Sequence, residues 1–361
     1  MQADETLRML RQLNDSEIFY RNYRLAKSSP DTFPSYLDSL KPEEVRGRAL
    51  LIPEWPETIR PEYLEESFFS PDRRIGLNVV KHNCYTPPVP HYHDFFEMFY
   101  VLEGQCVHEV GGYRSVLRTG DLCLIQPKVT HSLDVSDESV IIDVLIRRTT
   151  FRHYFYNILQ GDNTLANFFM STLYSTQGIS YLIFHTGGDD ELPQSFLRLC
   201  GEFHEKQEYY SVLVNAIATS IFVRLLRSYM DACELPENQL RDTQTAIRIA
   251  RYLQLYAASA TLGGLAAELH YTPEYTSRLI KRVTGQTFMQ LLTAIRLENA
   301  EQLLRDTALP LSEIAAAVGY ESSEHFVRTF HAHKGLTPSA YRHKKRNAAF
   351  GGAGAAAQLR R

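Results

Sequence analysis

A chain of 361 residues with 44% hydrophobic and 22% charged residues is long enough to bury two or more cores and too apolar to be mainly disordered. The formal charge of −4 excludes a uniformly basic nucleic-acid binder, and five scattered cysteines without a CxxC pair (Cys84, Cys106, Cys123, Cys200, Cys233) exclude a disulfide framework and a zinc ribbon. Charge is uneven, however: from Arg241 to Arg346 fourteen Lys or Arg face nine Asp or Glu, leaving −9 elsewhere, as when one domain meets phosphate and the rest does not.

Residues 1–74 contain an expected helix from Glu5 to Leu13 and then a Pro-containing stretch without clear periodicity, to which no role is assigned. MQADETLRML lacks a basic stretch followed by an apolar one, and the most apolar later segment, Ser211 to Leu226, is interrupted by Asn215 and Arg224. A cytoplasmic protein without a membrane partner is therefore expected.

Over 75–150, short alternating apolar runs are broken by Gly104, Gly111-Gly112 and Thr119-Gly120-Asp121, the pattern of antiparallel hairpins closing a small barrel or sandwich. In HYHDFFEMFYVLEG, His91, His93 and Glu97 share parity with Phe95, Phe99 and Val101, so a strand projects two imidazoles and a carboxylate from one face. His131 follows at the end of a later strand. Residues 151–235 turn toward helical spacing, most clearly from Tyr210 to Met230, and such a segment can be core, a dimer surface or both. Glu234 to Gln239 has the composition of a linker.

The C-terminal third, 241–346, carries an internal repeat. Leu262, Leu265, Ala266, Leu269 and Tyr271 recur 49 residues later as Leu311, Ile314, Ala315, Val318 and Tyr320; beyond the turn the offset is 50, pairing Glu274, Arg278, Ile280 and Gly285 with Glu324, Arg328, Phe330 and Gly335. In the first copy Thr261 caps a short helix, a turn follows at His270-Tyr271, and Thr272 caps a second helix with Pro273 in its first position, where a missing N–H costs nothing. Tyr275, Leu279, Ile280 and Val283 are expected inside, with Glu274, Ser277, Arg278, Lys281 and Arg282 outside. In the second copy Ser312 is the expected cap, Gly319 ends the helix, and the next begins near Ser322 or Ser323. There Phe326 and Phe330 face inward and Ser323, Glu324, Val327, Arg328 and His331 outward. Between the copies, Phe288 to Leu304 describe one helix from about Thr287 to Arg305, a rod of about 28 Å, near the roughly 34 Å between successive major-groove faces of B-DNA. Thr337-Pro338 opens a last short helix, Arg342 to Arg346 is a basic cluster, and 347–361 reads as a disordered tail.

These residues resemble the AraC-type transcription regulators over about Thr245 to Arg342, through LAAELHYTPEYTSRLIKRVTGQTF, IRLENAEQLL, IAAAVGYESSEHFVRTFHAHKG and TPSAYR. The resemblance implies that outward residues of both second helices read major-groove bases while helix N-termini, at Thr272-Pro273 and Ser322, and basic side chains hold phosphates of double-stranded DNA. Glu274 and Glu324 put acidic groups at base-contacting positions, where a carboxylate can accept from cytosine N4. The bland alternative is a pair of helical hairpins with solvated cations.

Residues Pro87 to Asp134 resemble the cupin pattern HxHxxxExxxxxxG, met by His91, His93, Glu97 and Gly104, with Gly120, Pro127 and His131 matching the second motif in part. Lys128 stands where cupins often have glycine, and the glycine expected before His91 is absent. The fold class expected is α+β multidomain: an N-terminal cupin-like antiparallel β-barrel with following helices, and a C-terminal all-α double helix-turn-helix domain. Metal cupins use such a donor set, so His91, His93, Glu97 and His131 would suit zinc, manganese, iron or nickel. Sensor barrels of AraC-type regulators often bind a small effector without metal, which would make His91, His93, Glu97, Phe99 and His131 its lining; purely structural polar groups are the third reading. No cofactor beyond this divalent metal is implied. The expected function is a regulator controlled by a small-molecule effector, a sugar among the candidates, working as a homodimer with RNA polymerase as a further partner. The alternative is a metal-dependent cupin enzyme, an oxygenase or isomerase, fused to a DNA-binding module.

Overall fold

The structure, a computed structural model, describes residues 1–69, 76–148, 180–229, 233–234 and 240–343. They fall into two compact units, one holding the described residues up to 234 and the other those from 240 onward.

In the first unit, helix α1 (Ala3–Arg11) stops short of the expected Leu13 because the chain turns extended at Gln12. Asn14 then opens α2 (Asp15–Lys27): its side chain accepts from the Ser16 and Glu17 amides while Glu17 accepts from the Asn14 amide, a reciprocal cap. Helices α3 (Phe33–Ser39) and α4 (Pro42–Gly47) follow where the sequence shows no periodicity, since one or two turns are too few to display it. Tyr20, Tyr23, Val45, Leu50 and Ile52 give this layer a small core of its own. Buried Glu17 also accepts from the Cys84 amide at 3.0 Å and pairs with Lys81 at 2.7 Å, tying the layer to the strands.

A parallel pair, β1 (Glu62–Tyr63) with β3 (Tyr92–His93), and the single turn α5 (Glu65–Phe68) lead into the barrel. Strands β2 (Leu77–Lys81), β4 (Phe96–Glu103), β7 (Asp121–Ile125), β9 (Val140–Ile146), β10 (Tyr181–His185) and β11 (Cys233–Glu234) form a six-stranded sheet in the order β11-β10-β7-β4-β9-β2. Strands β5 (Gln105–Val110), β6 (Tyr113–Arg118) and β8 (His131–Asp134) form a second sheet in the order β6-β5-β8, and the pairing in both sheets is antiparallel. Gly111 and Gly112, at φ of 58° and 82°, make the two-residue hairpin between β5 and β6 that their sequence announces.

Period-two alternation on β4 decides the layering. Phe99 and Val101 join Cys106, Val110, Leu117, Cys123, Leu133 and Ile141 in a core shared by the two sheets. Met98, Tyr100 and Leu102 point the other way, against α6 (Glu191–Glu205) and α7 (Tyr210–Ser228), with Phe196 stacked on Tyr100 at 4.3 Å between ring centres. By length and composition α7 passes for a membrane span, yet Val214, Ala218, Ile221, Phe222 and Leu225 are spent on this sheet-and-helix core.

Strand β10 corrects the expectation that 151–235 is helical throughout: Tyr181 to His185 pairs with β7 from Ile125 to Asp121. A run of five residues is too short for periodicity to separate helix from strand, and a strand buried on both faces has no polar alternation to betray it. Residues 151–179 of that segment, the linker residues 235–239, the basic cluster 344–346 and the tail 347–361 lie outside the described residues.

The second unit is helical: α8 (Leu240–Leu255), α9 (Leu262–Leu269), α10 (Pro273–Thr284), α11 (Phe288–Asp306), α12 (Leu311–Ala317), α13 (Ser323–Lys334) and a last stretch over 338–343. The connector α11 is 19 residues long, opened by a reciprocal cap between Thr287 and Gln290. Its first half buries Phe288, Leu291, Leu292 and Ile295. Its second half gives Leu297, Ala300 and Leu304 to a core with Ile314, Ala315, Val318, Phe326 and Phe330.

Candidate DNA interface and effector site

Each helix pair of the second unit is set by local chemistry. Thr261 Oγ1 accepts from the Gly264 amide at 3.0 Å, and His270 ends α9 in the left-handed conformation at φ 60°. Thr272 Oγ1 accepts from the Tyr275 amide at 3.3 Å, with Pro273 in the first turn of α10. Leu279, Ile280 and Val283 are buried, but Tyr275 is not: it is 38% exposed, its ring 4.7 Å from that of Tyr271, while Thr276 takes the inward place. A helix turns 100° per residue, so the inward stripe through Leu279, Ile280 and Val283 is continued by Thr276, and size misled the sequence assignment. Thr272, Pro273, Glu274, Ser277, Arg278, Lys281 and Arg282 are all exposed.

In the second pair the helix begins one residue before the expected cap. Pro310 occupies the N-cap of α12 without a side-chain bond, and Ser312 lies inside the first turn. Proline's fixed φ lets it start a helix without a hydroxyl cap. Ser322 Oγ accepts from the His325 amide at 3.2 Å and opens α13, on which Phe326 and Phe330 are buried. Ser323, Glu324, Val327 and Arg328 line an open depression of about 500 Å³ with Leu311 and Ser312; His331 is exposed one turn on.

In the barrel, His91 and His131 exchange backbone hydrogen bonds of 2.9 Å in both directions, which brings the HYH segment beside β8. His93 Nε2 lies 2.9 Å and His131 Nε2 3.1 Å from the same Glu97 oxygen, Oε2, and all three side chains are buried. The donor atoms of His93, Glu97 and His131 lie within 4.8 Å of one another. His91 stands beside this group but outside it: its ring is 4.6 Å from that of His131, and its Nδ1 is 3.0 Å from the Val89 carbonyl.

Burial would push the Glu97 carboxyl up, but the hydrogen bonds and charges of His131 and His93 hold it well below the usual range. Burial lowers His131, yet Glu97 raises it overall. His91 has no such partner, and burial with the nearby His131 charge pulls it down to about 4.

Three further polar residues share the barrel interior and were not singled out from the sequence. His108 lies 5.7 Å from His131 and 5.5 Å from Phe99 between ring centres, its buried Nε2 has no hydrogen-bond partner among the described residues, and burial with the His131 charge brings it to about 3. Asp143 sits opposite Phe99 on β9; His82 Nδ1 is 2.9 Å from its Oδ2, while its buried Oδ1 has no partner among the described residues. Burial raises Asp143, and Asp143 in turn raises His82 against the effect of burial. The alternation Cys106-His108-Val110 in QCVHEV and the lone acid in VIIDVLI were the signals available.

Two family models match this chain in succession: an AraC-like ligand binding domain over residues 81–222 and a helix-turn-helix domain over 265–344, together more than half of its length. The chain belongs to the AraC-type transcription regulators. As such it is a sequence-specific DNA-binding regulator controlled by an effector in its cupin-like domain, a reading these matches support over the enzyme alternative.

Among AraC-type relatives, the HTH-type transcriptional activator RhaR of Shigella dysenteriae is 22% identical over 286 residues, covering 78% of this chain and 95% of RhaR. RhaS of Pectobacterium atrosepticum is 24% identical over 284 residues, covering 77% and 96%. The regulator YtdP of Bacillus subtilis is 33% identical over 92 residues, and the chain spans only 12% of its length. Among solved structures, the C-terminal domain of AraT, a response regulator from Geobacillus stearothermophilus, is 39% identical over 27% of this chain and 82% of its own, with TM-score 0.26. ToxT of Vibrio cholerae with bound unsaturated fatty acid is 17% identical over 74% and 94%, with TM-score 0.30.

Proposed function

We propose that α10 and α13 are the base-reading helices, and that their outward residues, Glu274, Ser277, Arg278, Lys281 and Arg282 on the first and Ser323, Glu324, Val327, Arg328 and His331 on the second, meet base edges and phosphates between them. Thr272-Pro273 and Ser322 present the helix N-termini to phosphates. The observation that carries this reading is the repetition of one device: two hydroxyl-capped helices of twelve residues, each burying one stripe and exposing an arginine at the equivalent position.

The effector is placed in the barrel, against His91, His93, Glu97, Phe99 and His131. Asp143 Oδ1 and His108 Nε2, unpartnered among the described residues, favour a polar, hydroxyl-bearing molecule such as a sugar, because a buried polar atom left unpaired costs about 1–3 kcal/mol. A divalent metal is a second reading, favoured by one observation. His93 Nδ1 lies 2.7 Å from the Phe95 carbonyl and His131 Nδ1 3.1 Å from that of Val129. If those nitrogens carry the protons, both Nε2 lone pairs face the carboxylate, and either second protons or a cation must stand between them. His93, His131 and Glu97 would hold such an ion, which would supply a Lewis-acid anchor for an effector oxygen.

The regulator is not an enzyme in this reading, acts in the cytoplasm as a homodimer, and has RNA polymerase as a further partner and no membrane. Support for the dimer is the outer face of α7, where Val212 is 65% exposed. The test is thermal melting of the full chain against a panel of monosaccharides and of zinc, manganese and nickel salts. A monosaccharide that raises the melting temperature and shifts DNA affinity, with both effects lost in His131→Ala, supports the sensor. A stabilising metal that leaves DNA affinity unchanged supports a structural ion instead.

A further inference from the structure

Three parts of the second unit that are distant in sequence meet at one point. The turn after α8 presents the carbonyls of Ala257 and Ala258; Arg296, midway along α11, donates from Nε to Ala257 O at 2.7 Å and from Nη2 to Ala258 O at 3.1 Å. The same guanidinium lies 5.8 Å over the ring of Tyr320, which is buried at the end of the α12 turn and packs edge-on to His325 and tilted to Phe326 at the start of α13. Immediately before it, Gly319 (φ +89°) lies so close to the turn after α8, which leads into the first helix pair, that a Cβ there would come within 2.5 Å of Ala258 O and 2.6 Å of Ala258 Cα.

The two helix pairs are thus joined twice, through α11 and through this side contact. A single helix linking two bodies bends gently under load; a second attachment removes that freedom. We infer that Arg296, seated between Ala257-Ala258 and Gly319-Tyr320, is a positioning residue that holds both base-reading helices at one separation, so that the protein measures the spacing between the two sequence elements it reads. This rests on the assignment of α10 and α13 as readers. One extra base pair displaces an element by about 3.4 Å and rotates it by about 34°, which a rigid pair cannot follow and a hinged pair can.

The test uses the full chain and a duplex selected by it from random sequence, with derivatives carrying one base pair more or one fewer between the two protected elements. The expected result is at least a tenfold loss of affinity for wild type at either altered spacing. Arg296→Ala should bind the native spacing several-fold more weakly yet lose no more than about threefold further at the altered ones. Tyr320→Leu, which keeps an apolar side chain but removes the ring under the guanidinium, should flatten the spacing preference in the same direction if the arginine variant fails to fold. Tyr320→Phe should behave as wild type, because the Tyr320 hydroxyl has no hydrogen-bond partner among the described residues. A folded Arg296→Ala or Tyr320→Leu protein that discriminates between spacings as steeply as wild type overturns the inference. So does a wild type that is indifferent to spacing. Failure of wild type to select any sequence overturns the reader assignment itself.

Discussion

His131 reaches across the barrel to Glu97, its Nε2 3.1 Å from the Oε2 that His93 also approaches, although His131 lies 34 residues further along the chain. Backbone pairing of His91 with His131 sets this contact, so the interior is assembled only once the second sheet has closed. Removing one partner leaves the other buried and incompletely paired. His131→Ala should therefore cost about 3 kcal/mol of stability, read as a lower urea midpoint for the first unit. Unchanged DNA affinity in the absence of small molecules should accompany it. An unaltered midpoint would mean that the contact is solvated and carries little.

Asp189 ties the end of α7 to the start of α6. It accepts from the Glu191 and Leu192 amides at 2.8 and 2.9 Å, from Arg224 Nε at 2.6 Å and from the Tyr229 hydroxyl at 2.6 Å. Burial opposes the charge, but these bonds lower its carboxyl from 3.8 to about 2. A depressed folded pKa gives stability that is present above the unfolded value and lost as pH falls toward the folded one. Asp189→Asn should be less stable than wild type by about 2 kcal/mol at pH 7, and the gap should narrow as pH falls from 5 to 3. Urea midpoints across that range measure it; a gap constant with pH would show that Asp189 acts by shape alone.

Phe330 is fully buried, its ring 5.7 Å from Phe326 and 5.5 Å from Tyr341. Phe330→Ala opens a void in the core that α13 shares with α11 and α12, at a cost of about 3–5 kcal/mol. Specific DNA binding should be lost together with protection of α13 amides from hydrogen exchange, while α10 amides stay protected. Equal loss in both helices would mean that the two pairs unfold as one.

Lys281 is exposed on the last turn of α10. As a phosphate contact, Lys281→Ala should weaken selected and unrelated duplexes alike and reduce the slope of log affinity against log salt by about one. Loss confined to the selected site would make it a base reader.

What the sequence disclosed is local or periodic. The caps at Thr261 and Thr272, the helix starts near Thr287 and Ser322, the repeat in the helix pairs and the shared parity of His93 and Glu97 all follow from neighbours a few residues apart or from a period. What stayed hidden depends on register between distant strands. Asp143 comes opposite Phe99 only because β9 pairs with β4 as it does, and nothing in VIIDVLI fixes that alignment. His108 enters the same interior through β5, and β10 joins the sheet through Tyr181, Leu182, Ile183 and Phe184, four buried residues with no period to read. Tyr275 stays exposed and Thr276 is buried because helical angle, which residue size does not reveal, sets the inward stripe. The junction at Arg296 joins residues 38 and 39 positions apart by backbone carbonyls, which no side-chain pattern records.

The central claim, that α10 and α13 read DNA together, is tested most directly by the affinity of the full chain for its selected duplex when Arg278 and Arg328 are replaced. Arg278→Ala and Arg328→Ala should each weaken binding by about 1–3 kcal/mol, and the double variant should fall to the level of an unrelated duplex. Full specific affinity in the double variant would contradict the account.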